Sequence, residues 1–323
     1  MNKPDMSVEL CGVGFKNPVI AASGCFGFGE EMAAYVDLNA LGGISVKGLT
    51  PQKRLGNPSP RIAETASGML NSVGLQNPGI DAFIAVELPR LAQLDCRILA
   101  NVAGGSVEDY ALMTEKLANQ PIDMVELNIS CPNVKEGGVA FGVYPEKVYE
   151  VVRAAKANCT QPLVVKLTPN TADIVQTALA AEKAGADAIS LINTLTGMAV
   201  DFYARKPVLA NVTGGLSGPA VKPVALRMVY QVAQAVNVPV IGMGGIDSGL
   251  DALEFMLCGA SAVQVGMANL YDPYACVRIA QEMETILAKE GIDSVRDIVG
   301  QLQFRRQQSW IEQRWNAFLK KRA

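Results

Sequence analysis

The stretch VELNISCPNVKEGG (125–138) gathers side chains suited to proton chemistry. Its apolar run predicts a strand ending at Ile129, so that Ser130, Cys131, Pro132 and Asn133 emerge where the strand meets its loop. Cysteine is among the most buried residue types, and a lone one often does no more than pack. Cys131 stands instead at a strand end beside proline and two asparagines, in a chain without histidine. A free thiol of pKa about 8.5 is a few per cent thiolate at neutral pH, and nearby cations increase that fraction. Cys131 is therefore a candidate general base. Two glycines at 137–138 suit a loop that opens and closes over substrate.

Lys47 ends one apolar run and Lys166 lies within another, VVKLTP. Burying an ammonium without a partner is costly, so each is either half of a structural ion pair or a cation facing an anionic ligand. Asn71, Asn101, Asn128 and Asn193 join them at the expected rim, with almost no carboxylates. Carboxamides with lysines suit a polar, anionic, planar ligand having donor and acceptor edges. The acidic set of a metal-assisted hydrolase does not stand out. IGMGGIDSG (241–249) and AVQVGMAN (262–269) each run from a strand into glycine. Such glycines either shape a tight turn or let backbone N–H groups approach a phosphate, and two adjacent motifs favour the phosphate. Neither is a dinucleotide fingerprint, because Asp247 stands where the third glycine should.

Parallel strands are the elements that would position these groups. Short apolar runs at 18–22, 43–46, 98–102, 124–129, 163–167, 188–192, 238–243 and 262–265 alternate with helical patterns at 109–118, 146–157, 172–184, 219–235 and 249–257. Uniformly apolar strands are expected when both faces are buried. Eight alternations favour an α/β fold of the (β/α)8 TIM-barrel type over an open doubly wound sheet. Residues 48–78 and 194–217 are loop-like insertions after strands, on the side where barrels build their sites. Residues 1–300 are expected to form the barrel and 301–323 a basic amphipathic helical extension, with Phe304, Ile311, Trp315, Phe318 and Leu319 at helical spacing.

Composition narrows the function. The chain has 323 residues, is half hydrophobic and 18% charged, and so can bury a sizeable core. A net charge of −3 argues against nucleic acid, although residues 301–323 carry +5. Lack of histidine removes His-based triads, imidazole bases and most zinc sites. Seven scattered cysteines, none in a CxxC pair, suggest free thiols in a reducing compartment and no metal or iron–sulfur site on this chain. No signal peptide or membrane-spanning run is evident, so a cytoplasmic location is expected.

The motifs ASGCFGFGEE (22–31), ETASGMLNSVGLQNPG (64–79), ELNISCPNVKEGG (126–138), INTLTG (192–197), NVTGGLSGPAVKPVALR (211–227) and GMGGIDS (242–248) resemble dihydroorotate dehydrogenase, with the class 1 B-type catalytic subunit most similar. The resemblance covers residues 7 to about 290 and implies an FMN-dependent barrel that oxidises dihydroorotate to orotate in pyrimidine synthesis. It makes Cys131 the base, with hydride transfer to the flavin. It assigns Ser23, Lys47, Gly48, Asn101, Asn128, Lys166, Ile192 and Gly218 to FMN, and Gly244, Gly245, Gly266 and Met267 to its phosphate. Lys47, Asn71, Ser72, Val73, Gly74, Leu75, Asn128, Asn133, Asn193 and Thr194 would hold the substrate. It further implies a homodimer of barrels in a heterotetramer with a subunit carrying FAD and [2Fe–2S], which passes electrons to NAD. Other readings are a dihydropyrimidine dehydrogenase-like barrel acting on uracil or thymine, a fumarate-linked A-type enzyme, and a flavin-binding scaffold without catalysis.

Overall fold

The computed structural model describes residues 3–130 and 141–303. Eight short strands form a closed parallel barrel: β1 (Val19–Ala21), β2 (Gly43–Ser45), β3 (Arg97–Val102), β4 (Met124–Asn128), β5 (Leu163–Lys166), β6 (Ala188–Leu191), β7 (Val240–Met243) and β8 (Ala262–Val265). The ring follows chain order and closes where Val263 of β8 pairs with Val19 of β1. These are the eight runs expected from sequence, with ends displaced by no more than two residues. Burial explains why they are legible. Apart from Arg97, every residue of the eight strands is buried, so the apolar runs stand clear of their polar surroundings.

Helices α1 (Val107–Leu117), α2 (Pro145–Asn158), α3 (Ile174–Lys183), α4 (Lys222–Ala233), α5 (Gly249–Leu257) and α6 (Ala275–Glu290) pack around the ring. Helix α1 shows how local sequence specifies them. Ser106 Oγ accepts the Asp109 N–H at 3.2 Å as N-cap, and Tyr110, Met113, Thr114 and Leu117 form one buried stripe. Helix α6 and the helical run 80–91, with a π-helical middle at Phe83–Glu87, are additions to the elements read from sequence. A hairpin of Val8–Leu10 with Val13–Phe15 lies at the opposite end, where Arg97 Nε donates to Gly14 O at 2.6 Å.

The two insertions differ from the loops expected of them. Ile62–Thr65 and Gly68–Asn71 from the first join Thr213–Ser217 and Leu195–Met198 from the second in one antiparallel sheet. Asn71 lies opposite Gly215, and Ala63, Leu70 and Leu209 make a small core of their own. Glycine and asparagine are depleted in strands, so the long-range pairing is what makes these segments strands. Among the described residues, no helix is long and apolar enough to cross a membrane. The extension expected at 301–323 falls, from residue 304 onward, outside the described residues.

Candidate active site

The C-terminal ends of the barrel strands and the antiparallel sheet enclose a cavity of about 270 Å³. Ser23, Lys47, Gly48, Asn128, Lys166, Ile192, Gly218, Gly244, Gly245, Gly266 and Met267 line it. So do Asn71, Ser72, Val73, Gly74, Leu75, Asn193 and Thr194. Residues from both insertions and seven strand ends thus share one space. Cys131 and Asn133 lie outside the described residues. Asn101 departs from its expected place at the rim: it is fully buried in the barrel, below the cavity lining.

Hydrogen bonds fix the polar lining. Ser23 Oγ donates to Val46 O at 2.7 Å, tying the end of β1 to that of β2. Asn128 Oδ1 accepts from Ser130 Oγ at 2.6 Å, and Asn193 Nδ2 donates to the same hydroxyl oxygen. Asn193 Oδ1 accepts the Thr194 N–H at 2.8 Å. Asn71 Nδ2 reaches across the sheet to Gly215 O at 3.3 Å, and Ser72 Oγ accepts from Asn57 Nδ2 at 3.0 Å. Carboxamides held this way present defined edges to a ligand.

Beneath Lys166 lies a carboxylate that the sequence reading missed. Glu126, in the middle of β4, is fully buried on the barrel axis. Its Oε2 accepts from Ser45 Oγ at 2.7 Å and Asn101 Nδ2 at 2.6 Å; its Oε1 accepts from Ser190 Oγ at 2.9 Å and Gln264 Nε2 at 2.6 Å. Lys166 Nζ stands 3.7 Å from Oε2. Burial alone would raise this carboxyl's pKa, but Lys166 and the hydrogen bonds outweigh it and hold the group below its ordinary value. Lys166 is therefore both paired and cavity-facing, which joins its two sequence-based readings. The signal for Glu126 lay two residues before Asn128, on the same face of a buried strand.

The glycine rim also divides. Gly244 and Gly245 have φ of +125° and +77°, and a Cβ would come within 2.8 Å of Ala225 Cβ and 2.7 Å of Gly218 O respectively. The turn itself demands glycine there. Gly266 has φ of −105° and its Cβ would meet only Ala22 and Cys25, each at 3.7 Å, so the fold leaves its openness free for a ligand. Cys25 places a thiol on the cavity wall. Burial raises its pKa, and Lys166 and Lys47 offset only part of that rise.

The family model described as dihydroorotate dehydrogenase matches residues 5–287. A dihydroorotate dehydrogenase B (NAD(+)) catalytic subunit from Geobacter metallireducens is 57% identical over 304 residues, covering 94% of this chain and 100% of the relative. One of the same description from Alkaliphilus oremlandii is 57% identical over 302 residues, covering 94% and 100%. Among solved structures, DHODH from Eimeria tenella in complex with ferulenol matches with TM-score 0.77 and 25% identity, over 92% of this chain and 88% of that one. Its ligand-free form matches with the same TM-score and identity, covering 92% of both chains. The barrel, the cavity at its mouth and these matches agree, and the chain belongs to the dihydroorotate dehydrogenase family, on the B-type branch of NAD(+)-linked catalytic subunits.

Proposed function

We propose that this chain holds FMN in the cavity and oxidises (S)-dihydroorotate to orotate in the cytoplasm, for UMP synthesis. The observation that carries the cofactor assignment is a pair of buried amide oxygens, Asn101 Oδ1 and Gln264 Oε1, with no hydrogen-bond partner among the described residues. Buried acceptors left unmatched are costly, so a planar ligand with N–H donors fits this floor. At one end, Gly244, Gly245, Gly266 and Met267 would take the phosphate, with backbone close enough for N–H contacts. Ser23, Gly48, Ile192 and Gly218 would flank the ring, and Lys47 and Lys166 would favour negative charge on it. Bound FMN would supply the acceptor for the hydride leaving C6 of dihydroorotate.

The chain's own residues orient the substrate and move its proton. Asn71, Asn128, Asn133, Asn193 and Thr194 would hold the pyrimidine edge and carboxylate, with Ser72 to Leu75 closing that side and Lys47 adding charge. Cys131, which follows β4 and Ser130 in sequence, would take the C5 proton on its thiolate sulfur. The C5–H electron pair then forms the C5=C6 double bond as the hydride departs. The relatives are named as NAD(+)-linked catalytic subunits, which supports a partner subunit; the assembly proposed is a homodimer of barrels in a heterotetramer whose second subunit carries FAD and [2Fe–2S] and passes electrons to NAD.

The test is flavin bleaching by dihydroorotate in Cys131→Ala. Loss of the general base should slow it about 10²–10⁴-fold, while FMN and orotate still bind. Bleaching at the wild-type rate would remove Cys131 from the role, and bleaching by uracil's dihydro form alone would change the substrate.

A further inference from the structure

Side chains from the four even-numbered strands meet at one level of the barrel: Ser45 from β2, Glu126 from β4, Ser190 from β6 and Gln264 from β8, all fully buried. Barrel interiors are ordinarily filled by branched apolar side chains in such four-residue layers. Here the layer is polar, and its members converge on one carboxylate. Asn101, from β3, donates to the same group. The four hydrogen-bonding donors are neutral, and Lys166 at 3.7 Å is the charged group beside them.

A carboxylate in this state only accepts, so each neighbouring amide must present its nitrogen to it. The oxygens of Asn101 and Gln264 are thereby turned away from Glu126. Gln264 lines the cavity, and Asn101 Oδ1 lies 2.9 Å from the point a Cβ on Gly48, another lining residue, would occupy. Both oxygens are buried acceptors without a partner among the described residues. An apolar residue at 126 would let both amides turn over. Glutamate does not.

We propose that Glu126 is a positioning residue: it fixes the Asn101 and Gln264 oxygens toward the cofactor space and offsets the positive charge that Lys166 presents there. The inference rests on FMN being the ligand. Negative charge beneath Lys166 makes an added electron pair on the cofactor less favourable than Lys166 alone would. The field at the ring is then set by the pair.

The experiment measures the midpoint potential and visible spectrum of FMN bound to purified Glu126→Gln, by dye equilibration against wild type. The isosteric change should shift the potential positive, because one negative charge leaves the barrel, and should alter the flavin band as an amide turns. A change in melting temperature with potential and spectrum unmoved would reduce Glu126 to a structural role and overturn the proposal. Should Glu126→Gln not fold, Gln264→Met keeps the carboxylate but deletes one acceptor. Its FMN retention, read by fluorescence quenching of added flavin, should weaken about tenfold. Wild-type retention would overturn the proposal as well. A wild-type chain that bound no FMN would instead sink the cofactor assignment, and this inference with it.

Discussion

At the scale of single residues, Gly266 is where the needs of the proposed cofactor would part from those of the fold. A methyl group there meets its neighbours at ordinary contact distance, at a φ other residues adopt. Gly266→Ala should therefore fold and melt like wild type, whereas Gly266→Asp should lose FMN on gel filtration because a carboxylate faces the phosphate. Equal retention by both variants would place the phosphate elsewhere. Lys166, Asn71, Asn128, Asn193 and the glycines were legible as cavity lining because polar types interrupt apolar runs at strand ends. Glu126 was not, because a lone acid within MVELN looks like one outward position of an alternating strand. Only closure of the ring brings Ser45, Ser190 and Gln264 to it.

At the scale of elements, the start of α5 braces the turn after β7. Ser248 Oγ accepts the Asp251 N–H at 3.2 Å, and Asp251 Oδ2 accepts the N–H groups of Asp247 at 3.0 Å and Ser248 at 2.9 Å. Lys222 at the head of α4 donates to the other Asp251 oxygen and to Glu254 Oε2 at 2.9 Å. Burial raises the Asp251 carboxyl's pKa, but Lys222, the Asp247 N–H and Ser248 outweigh it and lower it overall. Because the folded pKa lies below the unfolded one, this stabilisation is whole above pH about 4 and fades as pH falls through the folded value. Lys222 is raised by its bonds to Asp251 and Glu254, so its contribution holds up to the unfolded lysine pKa and is lost above it. Asp251→Ala should cost about 1–2 kcal/mol in urea melts at neutral pH. That difference should shrink at pH about 3; an unchanged gap would mean the charge contributes nothing. Among elements, the buried strands and capped helices were readable, while the sheet over the mouth was not. Its strands are short and half exposed, and residues 144 apart must meet before they pair.

At the scale of the molecule, the cavity gathers the ends of seven of the eight barrel strands. Turnover measured with NAD, fumarate and an artificial dye, with and without a co-expressed iron–sulfur flavoprotein, tests the proposed assembly. The chain alone should turn over with dye and reduce NAD poorly, and the partner should restore NAD. Robust NAD reduction by the isolated chain would end the two-subunit proposal, and brisk fumarate turnover would move it to the A-type.

Ring closure has a bearing on synthesis. β1 is made first among the barrel strands, yet its neighbour β8 ends at Val265. The sheet above the mouth waits for Ser217. A chain still emerging from the ribosome therefore has neither a sealed floor nor a roof until most of it has been translated. Ligand that binds only the finished cavity stabilises complete molecules alone, so nascent and truncated chains stay open to proteolysis while finished ones are protected. The proposed FMN would then be a mark of completed manufacture.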